Sequence, residues 1–247
     1  MACWGILFDL MQQSGLLRAH LTTGKVTFGV NHTMNDWVNN KKKNLDLVIC
    51  RPANGKPKVK YKSFRDYGDK WGVQLTSKQQ AMLAGLPNPV EAPVTAVLVA
   101  LEAKACMTAH QKALPRFFDE LNSSHQIVHG SSSQALSIGF AMVNASISFL
   151  SSDRNKVRGG AVDLTWHQQP KSAIITIDTV KHLPRRSGTS QVGYDGLGIV
   201  VVDMVNDGIT PVELVTSAPA PPVGDGFHYD NMIGRMASEY DSRFHAI

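Results

Sequence analysis

Cysteine is scarce in this chain. Cys3, Cys50 and Cys106 are the three among 247 residues, scattered and odd in number. There is no C-x-x-C spacing, and the count implies no disulfide framework, so a reducing, cytoplasmic home is expected. Long apolar runs are also missing: none approaches the roughly 18 residues that span a bilayer, and no membrane partner is expected. The opening MACWGILFDLMQQSG has no basic lead and carries Asp9, which makes it a poor secretion signal. Glutamate does not occur before Glu91. Internal repeats, low-complexity segments and helicase or ATPase motifs are absent. What remains is 43% hydrophobic, a globular composition with enough chain to bury a core.

Charge is present but unevenly spread. The whole chain carries +5, yet Lys41 to Lys70 holds ten Lys or Arg against three Asp, a local excess of seven. The rest is therefore slightly acidic, at −2. A basic zone on a near-neutral body suits a polyanionic partner, although a solvated loop has the same composition.

The pattern of apolar residues alternates helices with strands. Residues 4–20 have helical spacing interrupted by Gly15, and 25–30 reads as a short strand. The polar run 32–44 reads as a helix fraying into a loop, and LDLVICRP (45–52) as a strand stopped by Pro52. Residues 75–86 read as a helix capped by Thr76 or Ser77, and 96–106 as a central strand. A helix over 108–130 contains Pro115, which either kinks it or starts a second one. A strand within 133–152, a polar loop at 182–196, a strong strand from 197 and a terminal helix over 230–244 complete the chain. Apolar, mostly unalternating strands between helices argue for an α/β domain whose sheet is covered on both faces. No boundary divides residues 1–247, so they read as one domain with a basic insertion at about 52–93.

The stretch VTAVLVALEAKAC contains the one arrangement that suggests chemistry. On a strand, Glu102 and Lys104 face the same side, while Leu101, Ala103 and Ala105 face the other. A charged pair on a buried strand is costly unless something satisfies it. A divalent metal would satisfy the carboxylate, and a reacting phosphate the ammonium. Asp46 lies near the start of another apolar strand. If that strand pairs with 96–106, Asp46 and Glu102 can hold one ion, with the Ala103 carbonyl as a further ligand.

An aspartate on one strand and E-x-K ending the next resembles the PD-(D/E)XK nuclease superfamily, in the residues Asp46, Glu102, Ala103 and Lys104. The resemblance covers roughly residues 1–150. It implies a restriction-endonuclease-like mixed central sheet flanked by helices, Mg²⁺ dependence, and hydrolysis of DNA phosphodiesters. By the resemblance Asp46, Glu102 and the Ala103 carbonyl bind metal, and Lys104 orients or activates the water. A stand-alone restriction enzyme is the leading role, and such enzymes commonly act as homodimers. A phage or recombination nuclease fits the same residues. The sequence departs from the family in lacking a proline before Asp46. It also has no first-helix glutamate, unless Asp9 or Gln12 replaces it.

Other residues extend the reading toward nucleic acid. Lys58, Lys60, Lys62 and Arg65 lie among Tyr61, Phe64, Tyr67 and Trp71, where aromatics can stack on bases and cations can contact phosphates. Arg154, Lys156 and Arg158 alternate in a Gly-ended loop, and Arg185 and Arg186 sit in another. His110, Gln111, Lys112 and Arg116 follow the E-x-K strand and could approach the scissile phosphate. His125 and His129, four apart, lack an obvious third zinc ligand. The competing class is a non-catalytic nucleic-acid-binding protein, in which Glu102 and Lys104 are an ordinary salt bridge and Asp46 a cap.

Overall fold

The computed structural model describes residues 1–37, 39–53, 61–155 and 162–247. Gly15 divides the first helical pattern into α1 (Ala2–Gln13) and α2 (Gly15–Thr22). Ser14 makes the break productive, because its hydroxyl caps α2 by accepting the Leu17 amide at 2.9 Å.

β1 (Thr27–Asp36) and β2 (Lys41–Pro52) then form a long antiparallel hairpin. This corrects the helix expected over 32–44. The described residues of that run are strand and turn, with Met34 opposite Lys43 and Asp36 opposite Lys41. It is polar because this end of the hairpin pairs with no third strand: the register with β3 (Val94–Cys106) stops at Leu47 opposite Leu101. Met34 and Leu45 are the buried apolar residues of this end, packed against Ile127 and Val128 of α5.

Between β2 and β3 come α3 (Phe64–Lys70) and α4 (Ser77–Gly85). Both begin with a reciprocal cap, Ser63 with Asp66 and Thr76 with Gln79. The aromatics of α3 form no base-stacking surface. Phe64 is fully buried and stacks on Trp4 at 4.5 Å, and Tyr67 is buried beside Phe28.

From β3 the chain enters α5 (His110–Ser131), one continuous helix with Pro115 inside it, and returns as β4 (Leu136–Asn144), parallel to β3. A separate two-stranded sheet, β5 (Ser148–Leu150) with β6 (Leu164–Trp166), follows. Next are α6 (Lys171–Lys181), β7 (Gly196–Asp203), β8 (Glu213–Val215) and α7 (Tyr229–Arg243).

The main sheet is mixed and six-stranded, ordered β1-β2-β3-β4-β7-β8. The β3–β4 and β4–β7 pairs are parallel; the others are antiparallel. Leu7, Met11, Phe28, Leu101 and Met236 pack on the side of α1 and α7. Phe117, Leu121, Ala141 and Ile177 pack on the side of α5 and α6. The expected α/β sheet covered on both faces is therefore present. Among the described residues, no helix is long and apolar enough to cross a membrane.

Candidate active site at a strand fork

Beyond Leu101, β3 keeps β4 on one side, while β2 continues with β1 alone. The two strands therefore fork, and the expected trio stands in the fork. Asp46 sits where the alternation of β2 breaks. Leu45 packs with the α5-side cluster and Leu47 with the α1-side cluster, although residues two apart on a regular strand share a face. Opposite this point Asn31 takes a left-handed φ of 51°. The Asp46 carboxylate fills the gap left in the ladder: Oδ2 accepts the Ala103 amide at 2.8 Å.

Glu102 is 2% exposed, and the same-side projection expected for Glu102 and Lys104 holds. Lys104 Nζ lies 3.0 Å from Glu102 Oε1 and 3.2 Å from Glu120 Oε2 on α5. A second cation, Lys43, lies 3.4 Å from the same Glu102 oxygen. Lys43 also donates to the Glu120 carbonyl and, at 3.2 Å, to the Ser123 hydroxyl, tying β2 to α5. Arg116 closes the group with a 2.6 Å contact to Glu120.

The electrostatics follow from this crowding. Burial raises the Glu102 carboxyl above the usual range and Asp46 adds to that, so its lysines only partly restore it. Burial lowers the Lys43 ammonium despite Glu102. Burial opposes the charge on Lys104 too, but the hydrogen bond and charge of Glu102, with help from Glu120 and Asp46, outweigh it and the net direction is upward. Cys3 of α1 reports the same field: burial, then Asp46, push its thiol up.

Glu102 Oε2 is buried and meets no hydrogen-bond donor among the described residues. An acceptor left that way normally costs about 1–3 kcal/mol. A hard cation would relieve it. Among the described residues, no three His, Cys, Asp or Glu side chains converge on one point. The protein's share of a cation here would be Asp46, Glu102 and the Ala103 carbonyl, with water and phosphate completing the shell. Mg²⁺ accepts such a sparse set, since it binds through one or two carboxylates and keeps several waters. No first-helix substitute reaches the fork: Asp9 accepts from the Tyr229 hydroxyl at 2.6 Å and from Gln12 at 3.1 Å.

The expected nucleic-acid contacts separate into groups. Lys58, Lys60, Lys156 and Arg158 lie outside the described residues. Lys62 is exposed between β2 and α3. Arg65 turns inward and donates to the carbonyls of Leu83, Ala84 and Leu86, at 3.0, 3.2 and 3.2 Å, around the end of α4. Lys112 and Arg154 meet at a cleft beside the start of α5. Arg186 is buried against Asp195, and Arg185 stacks 4.3 Å over Phe227. His125 and His129 bond to Asn122 and to the Gly193 carbonyl.

Sequence reasoning missed Lys43 and Glu120. Lys43 is three residues from Asp46, so regular alternation assigns it the other face. Only the break at Asp46 brings it to Glu102. Glu120 carried one signal, its i,i+4 spacing from Arg116. Set against family models, curated proteins and solved structures, the chain matches none of them.

Proposed function

We propose that the protein is a Mg²⁺-dependent nuclease of restriction-endonuclease-like fold that hydrolyses DNA phosphodiesters at the β2–β3 fork. The observation that carries this reading is the buried Glu102, its Oε2 without a donor, beside Asp46 and a charged Lys104. The order of helix, antiparallel strands bearing Asp46 and Glu102, helix and parallel strand supports the same reading.

Mg²⁺ held by Asp46, Glu102 and the Ala103 carbonyl would polarise the phosphate and acidify a bound water. The chain's own residues do the rest. The Ala103 amide fixes the orientation of Asp46. Lys43 steadies Glu102 in its buried place. Lys104, held by Glu102 and Glu120, orients or activates the attacking water and offsets charge developing on the phosphate. Glu120 anchors Lys104 from α5. Sequence-specific cutting of both strands would need two such sites, hence a homodimer. A cytoplasmic setting fits the unpaired cysteines.

A second reading has its own support. Two lysines already face Glu102 and a ladder amide already occupies Asp46, as in a non-catalytic nucleic-acid-binding protein. Incubating supercoiled and linear DNA with Mg²⁺, with EDTA and with Glu102→Ala separates the two. Mg²⁺-dependent cutting that falls about a thousandfold or more in Glu102→Ala is expected. Discrete fragments would mark a site-specific enzyme and a smear an unspecific one. Binding without cutting, unchanged in the variant, would remove the nuclease reading.

A further inference from the structure

A cleft of about 260 Å³ opens where α5 begins, between that helix, β6 and the first turn of α6. Its walls include Lys112, Arg154, His110, His167 and Trp166, and none of its described lining residues is acidic.

Two features of the cleft suit an anion. The first is the pair of cations. Lys112 is exposed, and among the described residues Arg154 is engaged by an exposed 3.4 Å contact with Asp163, the kind of ion pair that contributes little and exchanges readily. The second is the helix end. The N-cap of α5 is Ala109, in a left-handed conformation with φ 48° and no capping side chain; the Lys112 amide turns back to the Ala109 carbonyl at 2.9 Å, and the His110 and Gln111 amides receive no side-chain cap among the described residues. Beneath them lie two buried histidines that complete the floor without adding negative charge. His110 is 3% exposed, and its Nδ1 donates to the Thr176 hydroxyl at 2.9 Å, because that hydroxyl already donates to the Ser172 carbonyl. The His167 ring packs edge-on against His110 at 4.8 Å. Nδ1 of His167 donates to the Ser146 carbonyl at 2.7 Å, so its buried Nε2 is the atom left open.

Beside these stands Trp166, 71% exposed on β6. A flat ring next to a cationic cleft is the combination that grips a nucleotide, with the base on the ring and the phosphate on the cations.

We propose that this cleft holds a backbone phosphate of the nucleic-acid strand, gripped by the Lys112 and Arg154 side chains and the His110 and Gln111 amides, with a neighbouring base stacked on Trp166. The strand as ligand rests on the nuclease reading above; the anion chemistry stands on the cleft itself. Lys112 precedes Glu120 by two helical turns, on the order of 12 Å. The phosphate held here is thus roughly three nucleotides of duplex rise from the fork, which makes the cleft a register-setting subsite rather than part of the cutting site.

Anisotropy of a short labelled oligonucleotide, single-stranded and duplex, in EDTA tests this without cutting. Lys112→Ala/Arg154→Ala should weaken binding roughly tenfold or more and reduce the salt slope by about two. Trp166→Ala should weaken it about tenfold with the salt slope unchanged. Glu102→Gln should bind at least as well as the unaltered chain. Unchanged affinity and salt slope in the double variant would overturn the proposal. So would inorganic phosphate or a nucleoside monophosphate binding as tightly as the oligonucleotide, since the cleft would then be a small-anion site. Cutting that persists alongside unaltered binding in the double variant removes the cleft and leaves the nuclease. Binding that depends on Lys112 and Arg154 in a chain that never cuts removes the nuclease and leaves the cleft.

Discussion

Arg186 shows how far one side chain's role depends on where its loop folds. In sequence it is half of an Arg-Arg pair in a polar loop and looks like a phosphate contact. In the structure its side chain has no exposed surface. Nε donates to Asp195 at 2.9 Å, and the terminal nitrogens donate to the Ser133 and Ala135 carbonyls at 3.0 and 2.7 Å. Asp195 is completed by the Ser137 amide at 2.8 Å and by Arg243 of α7. Removing one partner of such a pair strands a buried charge, so Arg186→Ala should destabilise the chain by about 3–5 kcal/mol in urea unfolding. A loss under about 1 kcal/mol would mean that the network does not hold the α5–β4 turn to β7 and α7. The contrast with Glu102 and Lys104 is instructive. Their pairing was legible because i and i+2 on one strand is a local relation, whereas Asp195 and Lys43 reach their partners only through tertiary geometry.

Elements were legible wherever their signals were local. The capped start of α4, the strand ending E-x-K, the break at Gly15 and the terminal helix all follow from spacing and caps within a few residues. The β1–β2 hairpin was not legible, because its outer half is polar for a reason outside the segment: no third strand covers it. The same holds for α3, where cations surround aromatics that face inward to Trp4 and Phe28. Arg65 belongs to this element. Its guanidinium ties the start of α3 to carbonyls at the end of α4, of which Leu83 also accepts the Leu86 amide. Arg65→Ala should therefore cost about 1–2 kcal/mol of stability and leave the salt dependence of oligonucleotide binding as it was. A reduced salt slope with undiminished stability would instead assign Arg65 to the nucleic-acid surface.

Across the whole molecule, the sheet order and the fork were out of reach of any local pattern, since they depend on which strand leaves which neighbour. Histidine placement is equally global, and it has a consequence for the fold's response to acid. His110 and His125 are buried, and burial first, then their charged or titrating neighbours, hold both near 4 rather than the usual 6.5. Burial lowers His20 and His129 as well. For each of these rings the unfolded chain takes up a proton before the folded one does. Their stabilisation is therefore complete above about pH 6.5 and lost as pH falls from there toward 4. Burial raises the Asp9 and Glu102 carboxyls, which act in the opposite sense, since their folded forms keep a proton longer. The two strongly shifted rings contribute on the order of 2 kcal/mol each by about pH 5, a large share of a typical 5–15 kcal/mol total. Urea unfolding should accordingly show stability falling steadily from about pH 7 to about pH 5, with unfolding taking up close to two protons. His125→Gln should flatten that dependence by nearly one proton. A wild-type curve flat across the interval would mean that His110 and His125 are not held neutral in the folded chain.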